Sequence, residues 1–146
     1  MDIGIRPTFG SRTYYYETAK IKGVLPNDIL SDKIAVLSSK TIFRRAKDIV
    51  DVYALSHCVS IGTAEILSAC QEKGRKLGLF NEFYSRKVEI KHAYDKLRGI
   101  EGKPAFETVY AHLSEFLRPF AERNLVDGVW DNEKKKWSNK VQKNID

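Results

Sequence analysis

The chain has 146 residues, of which 42% are apolar and 30% charged, and these values are typical of one globular domain with a substantial core. No run of about 18 apolar residues occurs, which excludes a membrane-spanning helix and a membrane partner, and no secretion signal is recognisable. The net charge of +6 favours an anionic partner such as a nucleotide or RNA. The only two cysteines lack metal-ligand spacing, so we expect a reduced, cytoplasmic protein.

Residues 1–26 are predicted to be extended chain. The segment TYYYETAKIKGVLP is rich in aromatic and β-branched residues and alternates weakly, which favours a strand or hairpin. Glycines and a proline mark turns within it. Because an isolated hairpin is marginally stable in water, we expect these strands to pack on a larger sheet or on a helical face.

Five helices are predicted after this extended segment. Their approximate spans are 27–39, 43–57, 63–74, 80–99 and 104–120. The first follows Pro26, Asn27 and Asp28, which together offer a helix cap. Pro104 suits the first turn of the fifth helix, and Pro119 is expected to bend or end that helix.

The predicted fold class is α+β but mainly α, with short N-terminal strands followed by a bundle of about five helices. The predicted divisions are residues 1–26 as strands, 27–125 as a helical domain and 126–146 as a basic C-terminal tail. The tail contains Trp130 and Trp137 and could fold back as a short hairpin. Its run of Lys134–Lys136 is explained either as solvated lysines or as an RNA contact.

Lys33 lies inside the apolar arc of the first predicted helix. With about 100° of rotation per residue, this arc is formed by Ile29, Leu30, Ile34, Val36 and Leu37. A lysine there either extends its ammonium past the apolar stem into solvent or meets a buried phosphate or carboxylate. The residues leave both interpretations open.

The second predicted helix gathers its charges on one side. Its core face is formed by Ile42, Ala46, Ile49, Val50 and Tyr53. On the other side Arg44 lies four residues before Asp48, and Lys47 stands in the same relation to Asp51. Two surface ion pairs of about 0.2–0.5 kcal/mol each would account for these charges, which favours a solvated face. Leu55 lies on the same side, however, and indicates a second layer of structure there.

The other candidate groups give weaker signals. His57, His92 and His112 stand far apart without ligand spacing, so structural or surface roles are expected. The aromatic residues of the fourth and fifth predicted helices have the spacing of core residues. Neither cysteine has a catalytic context.

The segment ILSDKIAVLSSKTIFRRAKDIVDVYAL resembles the C-terminal signature of the AbiEii/AbiGii family of nucleotidyltransferase-like toxins. That signature combines a lysine next to an acid, a basic residue near the helix end and an Arg-x-Lys-Asp-x-x-Asp-φ-Tyr helix. The matching positions are Asp32, Lys33, Ala35, Lys40, Arg45, Asp48, Asp51 and Tyr53. Asp32 replaces the more usual glutamate, and Lys40 replaces arginine. GKPAFETVYAHLSEFLRP and Trp130 also resemble later parts of the family, so the resemblance covers most of the chain.

The resemblance implies a polymerase-β-like nucleotidyltransferase of bacterial toxin–antitoxin and phage abortive-infection systems. Mg²⁺, a nucleoside triphosphate, an RNA acceptor such as tRNA and a cognate antitoxin would then be cofactors and partners. In the family a Gly-Ser motif and an Asp-x-Asp pair form the metal-binding lobe. This sequence has no convincing copy of that lobe, and Asp2 matches a carboxylate on a strand that would continue upstream. We therefore expect a C-terminal helical portion that is inactive alone.

The resemblance also implies residue roles. The expected catalytic residues are Lys33, Asp48 and Asp2. The expected nucleotide-binding residues are Lys33, Lys40 and Arg45, since compact cationic groups suit phosphate. Arg44, Asp51 and Tyr53 would support the cleft, and no metal ligand can be assigned. The alternative function is a non-enzymatic basic helical module that binds RNA or a partner protein.

Overall fold

The computed structural model describes residues 26–122 and 128–139. Its elements are α1 (Pro26–Leu37), the 3₁₀ helix η1 (Lys40–Phe43), α2 (Lys47–Cys58), β1 (Ile61–Gly62), α3 (Thr63–Glu72), α4 (Asn81–Ser85), α5 (Lys87–Asp95), α6 (Phe106–Phe116), α7 (Arg118–Ala121), β2 (Gly128–Asp131) and β3 (Lys136–Asn139). The described chain is mainly helical, as predicted, with a small antiparallel sheet. None of its helices has both the length and the apolar content needed to cross a membrane. The strands predicted before residue 26, and Asp2 with them, lie outside the described residues.

Helix α2 lies at the centre of the bundle. Seven of its twelve residues are buried, including an unbroken run from Asp48 to Val52. A surface helix buries a single face, so such a run means that neighbouring elements cover α2 on nearly every side. Helix α1 packs along the side that carries the aspartates, and α6 packs along another. Leu55 is fully buried in the resulting core. The second layer of structure predicted beside Leu55 therefore includes helices of this chain.

The fourth and fifth predicted helices are each interrupted. Helices α4 and α5 are separated at Arg86, whose backbone leaves the helical region at φ −120° and ψ 46°. Helix α6 ends at Phe116, and the short α7 follows after Leu117. Pro119 lies at the start of α7, where a missing backbone N–H leaves no hydrogen bond unmade. The fifth predicted helix therefore ends before Pro119, as predicted, and the proline lies in the first turn of the short helix that follows.

The loop before α4 is fixed against the end of α1. Ser38 is buried, and its Oγ accepts a hydrogen bond from the Gly78 N–H at 2.8 Å. The Ser38 carbonyl accepts another from the Phe80 N–H at 3.1 Å. A Cβ on residue 78 would lie 2.4 Å from that carbonyl oxygen, so only glycine fits there. Phe80 has a left-handed φ of 60°, and burial of its ring in the core offsets this strain.

The sheet packs at the C-terminal end of α2. Strands β2 and β3 form an antiparallel hairpin in which Trp130 lies opposite Trp137. Strand β1 adds a two-residue edge, with Ile61 opposite Trp130. The Trp130 indole N–H donates to the Ser56 carbonyl at 2.7 Å, and the Trp137 indole N–H donates to the Phe116 carbonyl at 3.1 Å. The two tryptophans therefore attach the hairpin to α2 and α6.

Candidate functional site

Lys33 reaches from α1 to the first half of α2 and lies between two aspartates. Its Nζ is 3.0 Å from Asp48 Oδ1 and 2.8 Å from Asp51 Oδ2. Residues three apart on a helix share one face, so a single ammonium can contact both carboxylates. Asp48 and Asp51 are each 3% exposed, whereas the Lys33 side chain retains 17% of its exposure. Of the two interpretations of Lys33, the contact with a buried anion is the one observed.

Arg45 completes this charge cluster from the solvent side. One Nη of its half-exposed guanidinium lies 3.1 Å from Asp48 Oδ2. The same oxygen is buried and receives no hydrogen bond from the described residues, so the close approach is poorly aligned for an N–H···O bond. Arg45 therefore contributes charge to Asp48, while an acceptor site on that carboxylate remains unused. We call Lys33, Arg45, Asp48 and Asp51 the charge cluster.

The electrostatics of the cluster keep Lys33 charged. Burial lowers the pKa of Lys33, but the charges and hydrogen bonds of Asp51 and then Asp48 outweigh this effect and raise the pKa above its ordinary 10.5. The cluster sets two basic side chains against two acidic ones, so their formal charges balance. Burying a charge costs several kcal/mol per ion unless it is paired, and this pairing offsets that cost.

The two ion pairs predicted within α2 are replaced. Asp48 and Asp51 pair with Lys33 of α1, and none of the ion pairs among the described residues joins Arg44 to Asp48 or Lys47 to Asp51. The prediction of a solvated face is therefore wrong for both aspartates. The physical reason is that α1 covers them and brings a cation into a less polar environment, where attraction is stronger than at the surface. Arg44 and Lys47 remain exposed.

The remaining predicted site residues lie elsewhere. Lys40 is exposed on η1 and makes no ion pair with the charge cluster. Tyr53 is packed against the rings of His57 and His112, with centroid distances of 4.5 and 4.9 Å. Asp32, next to Lys33, turns toward α3 and forms exposed ion pairs with Lys73 and Arg75. Lys33, Arg45, Asp48 and Asp51 are thus the predicted residues that the structure brings together.

A magnesium ion does not fit the charge cluster as it stands. Lys33 already occupies the position between the Asp48 and Asp51 carboxylates where a cation would bind. Within residues 26–122 and 128–139, no group of three or more His, Cys, Asp or Glu side chains could hold a metal ion. Phosphate oxygens are a better match to the exposed part of Lys33 and to Arg45.

Sequence reasoning missed a second cluster at the other end of α2. The rings of His57 and His112 are stacked at 4.4 Å, and His112 lies edge-on to Trp130 at 5.6 Å. His112 Nε2 is 2.6 Å from Ser56 Oγ. Burial lowers the pKa of His112 to about 3, with smaller contributions from His57 and Lys135, so the ring is neutral at pH 7. We call Ser56, His57, His112 and Trp130 the histidine–tryptophan cluster; its members come from α2, α6 and β2, so no spacing in the sequence could reveal it.

No family model matches the chain, and neither the curated proteins nor the solved structures include one that is similar to it. Its chemistry is therefore inferred from the two clusters themselves. The histidine–tryptophan cluster is neutral and closely packed, as a structural role requires. The charge cluster retains an exposed part of Lys33, a half-exposed Arg45 and an unused carboxylate acceptor. These features make it the better candidate for binding a ligand.

Proposed function

We propose that this chain is the C-terminal helical portion of a nucleotidyltransferase-like toxin of the AbiEii/AbiGii type, which binds a nucleoside triphosphate through the charge cluster. The supporting observation is the placement of Lys33 Nζ between two buried carboxylates, 3.0 and 2.8 Å away, with part of its side chain exposed. Four residues of the sequence resemblance, drawn from α1, α2 and the turn before α2, meet at this point.

A structural role alone explains the charge cluster poorly. Replacing a buried ion pair by apolar residues of similar volume is often neutral or stabilising, so buried ion pairs are weak devices for stability. A buried lysine with a perturbed pKa and specific charged partners is a candidate functional residue. The other buried polar residues of the described chain are uncharged serines and a threonine, so this cluster holds its buried carboxylates.

Nucleotide binding would add phosphate to the existing partners of Lys33. The two aspartates hold the ammonium in place before the ligand arrives, so little side-chain entropy is lost on binding. Phosphate oxygens then contact the exposed part of Lys33, which keeps its pairs with Asp48 and Asp51, and Arg45 can turn from Asp48 Oδ2 to the phosphate. Because the sequence has no convincing copy of the metal-binding lobe, we expect the chain to bind nucleotide without transferring it.

Calorimetric titration of the chain with each magnesium nucleoside triphosphate tests this proposal. Arg45→Ala should weaken binding by about 10- to 100-fold, because a charge-assisted contact contributes about 1.5–3 kcal/mol. Arg118→Ala is the matched control: Arg118 has the same 56% side-chain exposure and also pairs with an acid three residues away, but it lies on α7. Absence of binding by the unmodified chain, or equal weakening by both variants, would contradict the proposal.

The second candidate is a non-enzymatic basic module that binds RNA or a partner protein. In its favour, Lys40, Arg44, Lys47 and the turn Lys134–Lys136 are exposed and take part in none of the ion pairs among the described residues. Such cations are available for phosphate contacts that depend on salt but not on base sequence. Simultaneous replacement of Lys134–Lys136 by alanine would then weaken RNA binding in a gel-shift titration and reduce its salt dependence, whereas Arg45→Ala would change it little. The reverse ranking of the variants would exclude this candidate.

A further inference from the structure

The C-terminal hairpin is attached to the bundle through neutral groups at the end of α2. The Trp130 indole donates to the Ser56 carbonyl at 2.7 Å, and the Asn132 amide donates to the His57 carbonyl at 3.2 Å. His112 of α6 lies between these contacts, stacked on His57 and edge-on to Trp130. The attachment therefore includes a partly buried imidazole that is packed against an aromatic ring and a second imidazole.

A proton on His112 would meet an unfavourable environment. Within residues 26–122 and 128–139, the titratable and charged groups that face its ring are Tyr53 and His57 from α2 and Lys135 from the turn of the hairpin. At neutral or acidic pH each of these groups is neutral or positively charged, so none supplies the negative charge that stabilises an imidazolium. Protonation therefore favours any state in which water reaches the ring.

The hairpin is held on the bundle mainly by its two tryptophans. Its two strands have four residues each, and the strand pairing with the bundle is limited to Ile61 and Gly62 of β1. A hairpin of this size depends on the tryptophan contacts, because isolated two-stranded hairpins are marginal in water. Trp130 belongs to the same apolar core as the helices, whereas the helices also contact one another directly. Local opening with the helices intact is the expected response of such an arrangement.

We propose that His112 makes the attachment of the C-terminal hairpin acid-sensitive, so that protonation releases the hairpin from α2 and α6 while the helices stay folded. This regulatory property is independent of nucleotide binding at the charge cluster. The pKa of His112 is lowered from 6.5 to about 3 by burial, with His57 and Lys135 adding to it. Each unit of pH below 6.5 therefore increases the opening equilibrium constant about tenfold until the lowered pKa is reached.

Intrinsic fluorescence gives a selective measurement, because both tryptophans of the chain lie on the hairpin. On acidification the emission should shift to the red and become accessible to iodide quenching. Far-ultraviolet circular dichroism, which reports the helices, should change only at lower pH. If emission and helical signal change together at one midpoint, the proposal is wrong.

Two variants assign the transition to one histidine. His112→Gln retains a side-chain N–H for Ser56 Oγ but cannot be protonated, so the early fluorescence transition should disappear. His92→Gln is the control, since His92 is exposed on α5, and it should leave the transition unchanged. If His112→Gln already releases the hairpin at neutral pH, the unmodified chain decides the question. Uptake of one proton predicts that its opening equilibrium constant rises about tenfold for each pH unit below 6.5, and an opening constant that does not depend on pH overturns the proposal.

Discussion

The first half of helix α2 buries charged side chains, whereas its last turn buries neutral ones. Asp48 and Asp51 are stabilised by Lys33 and Arg45, while Ser56 and its partners are joined by hydrogen bonds and ring contacts. The same helix therefore shows two ways of burying polar groups. Opposite charges leave Lys33 with a raised pKa, and burial among neutral rings leaves His112 with a lowered one.

This difference indicates which end can accept a ligand. The charge cluster lies partly open, and the exposed parts of Lys33 and Arg45 can contact another anion. In the histidine–tryptophan cluster Trp130 is fully buried, and its contacts require particular ring positions. A ligand therefore suits the charged end, and attachment of the hairpin suits the neutral end. The following variants test that division, beginning with the largest effect.

Removal of the lysine should have the largest effect. Lys33→Met leaves two carboxylates buried without their cation, so the free energy of unfolding in urea should fall by about 3–5 kcal/mol. Lys73→Met is the control, because Lys73 forms an exposed ion pair with Asp32, and it should cost less than about 1 kcal/mol. Equal effects of the two variants would show that the charge cluster is no different from a surface pair.

At the neutral end the largest single effect is expected at the indole of Trp130. Trp130→Phe removes the donor to the Ser56 carbonyl and leaves a smaller ring, which should lower the free energy of unfolding by about 1–3 kcal/mol. Trp137→Phe removes a longer hydrogen bond, of 3.1 Å, from a partly exposed ring, so its effect in the same denaturation should be smaller. A larger loss of stability for Trp137→Phe than for Trp130→Phe would contradict the assignment of the main attachment to Trp130.

Stability should respond to pH with opposite sign at the two ends. The neutral His112 contributes stability above pH 6.5, and this contribution is lost as the pH falls toward about 3, by at most about 1.4 kcal/mol per pH unit. The charged Lys33 contributes stability below pH 10.5, and its contribution is lost only as the pH rises through the raised pKa. In urea unfolding at acidic pH, the free energy of unfolding should therefore fall more steeply with decreasing pH for the unmodified chain than for His112→Gln. Equal dependence of the two free energies on pH would contradict the acid response.

The smallest effects are expected for the exposed cations beside the charge cluster. Arg44→Ala and Lys47→Ala should each change the free energy of unfolding by less than about 0.5 kcal/mol, since neither side chain pairs with the α2 aspartates. Thermal denaturation at low and high salt is a sufficient measurement. A larger loss of stability that depends on salt would indicate that the ion pairs predicted from the spacing do form.

The sequence predicts the approximate positions of α1, α2 and α3 because their apolar residues follow helical periodicity. It also marks Lys33 as unusual, since a lysine interrupts an apolar arc. The partners of Lys33 could not be predicted from the residues alone, because they depend on how α1 crosses α2. The break at Arg86 has no glycine or proline beside it, and the meeting of His57 with His112 is a tertiary contact. These features arise from packing rather than from local pattern.

The most direct test of the proposed site is to observe the Lys33 ammonium by side-chain ¹⁵N NMR during titration with a magnesium nucleoside triphosphate. This experiment needs no substitution, so the fold is unchanged. If the charge cluster binds phosphate, the Lys33 resonance should shift and saturate with the calorimetric binding curve, while Lys73, in its exposed pair with Asp32, should not shift. A Lys33 resonance that stays constant at saturating nucleotide, or one that moves no more than that of Lys73, would contradict the proposal.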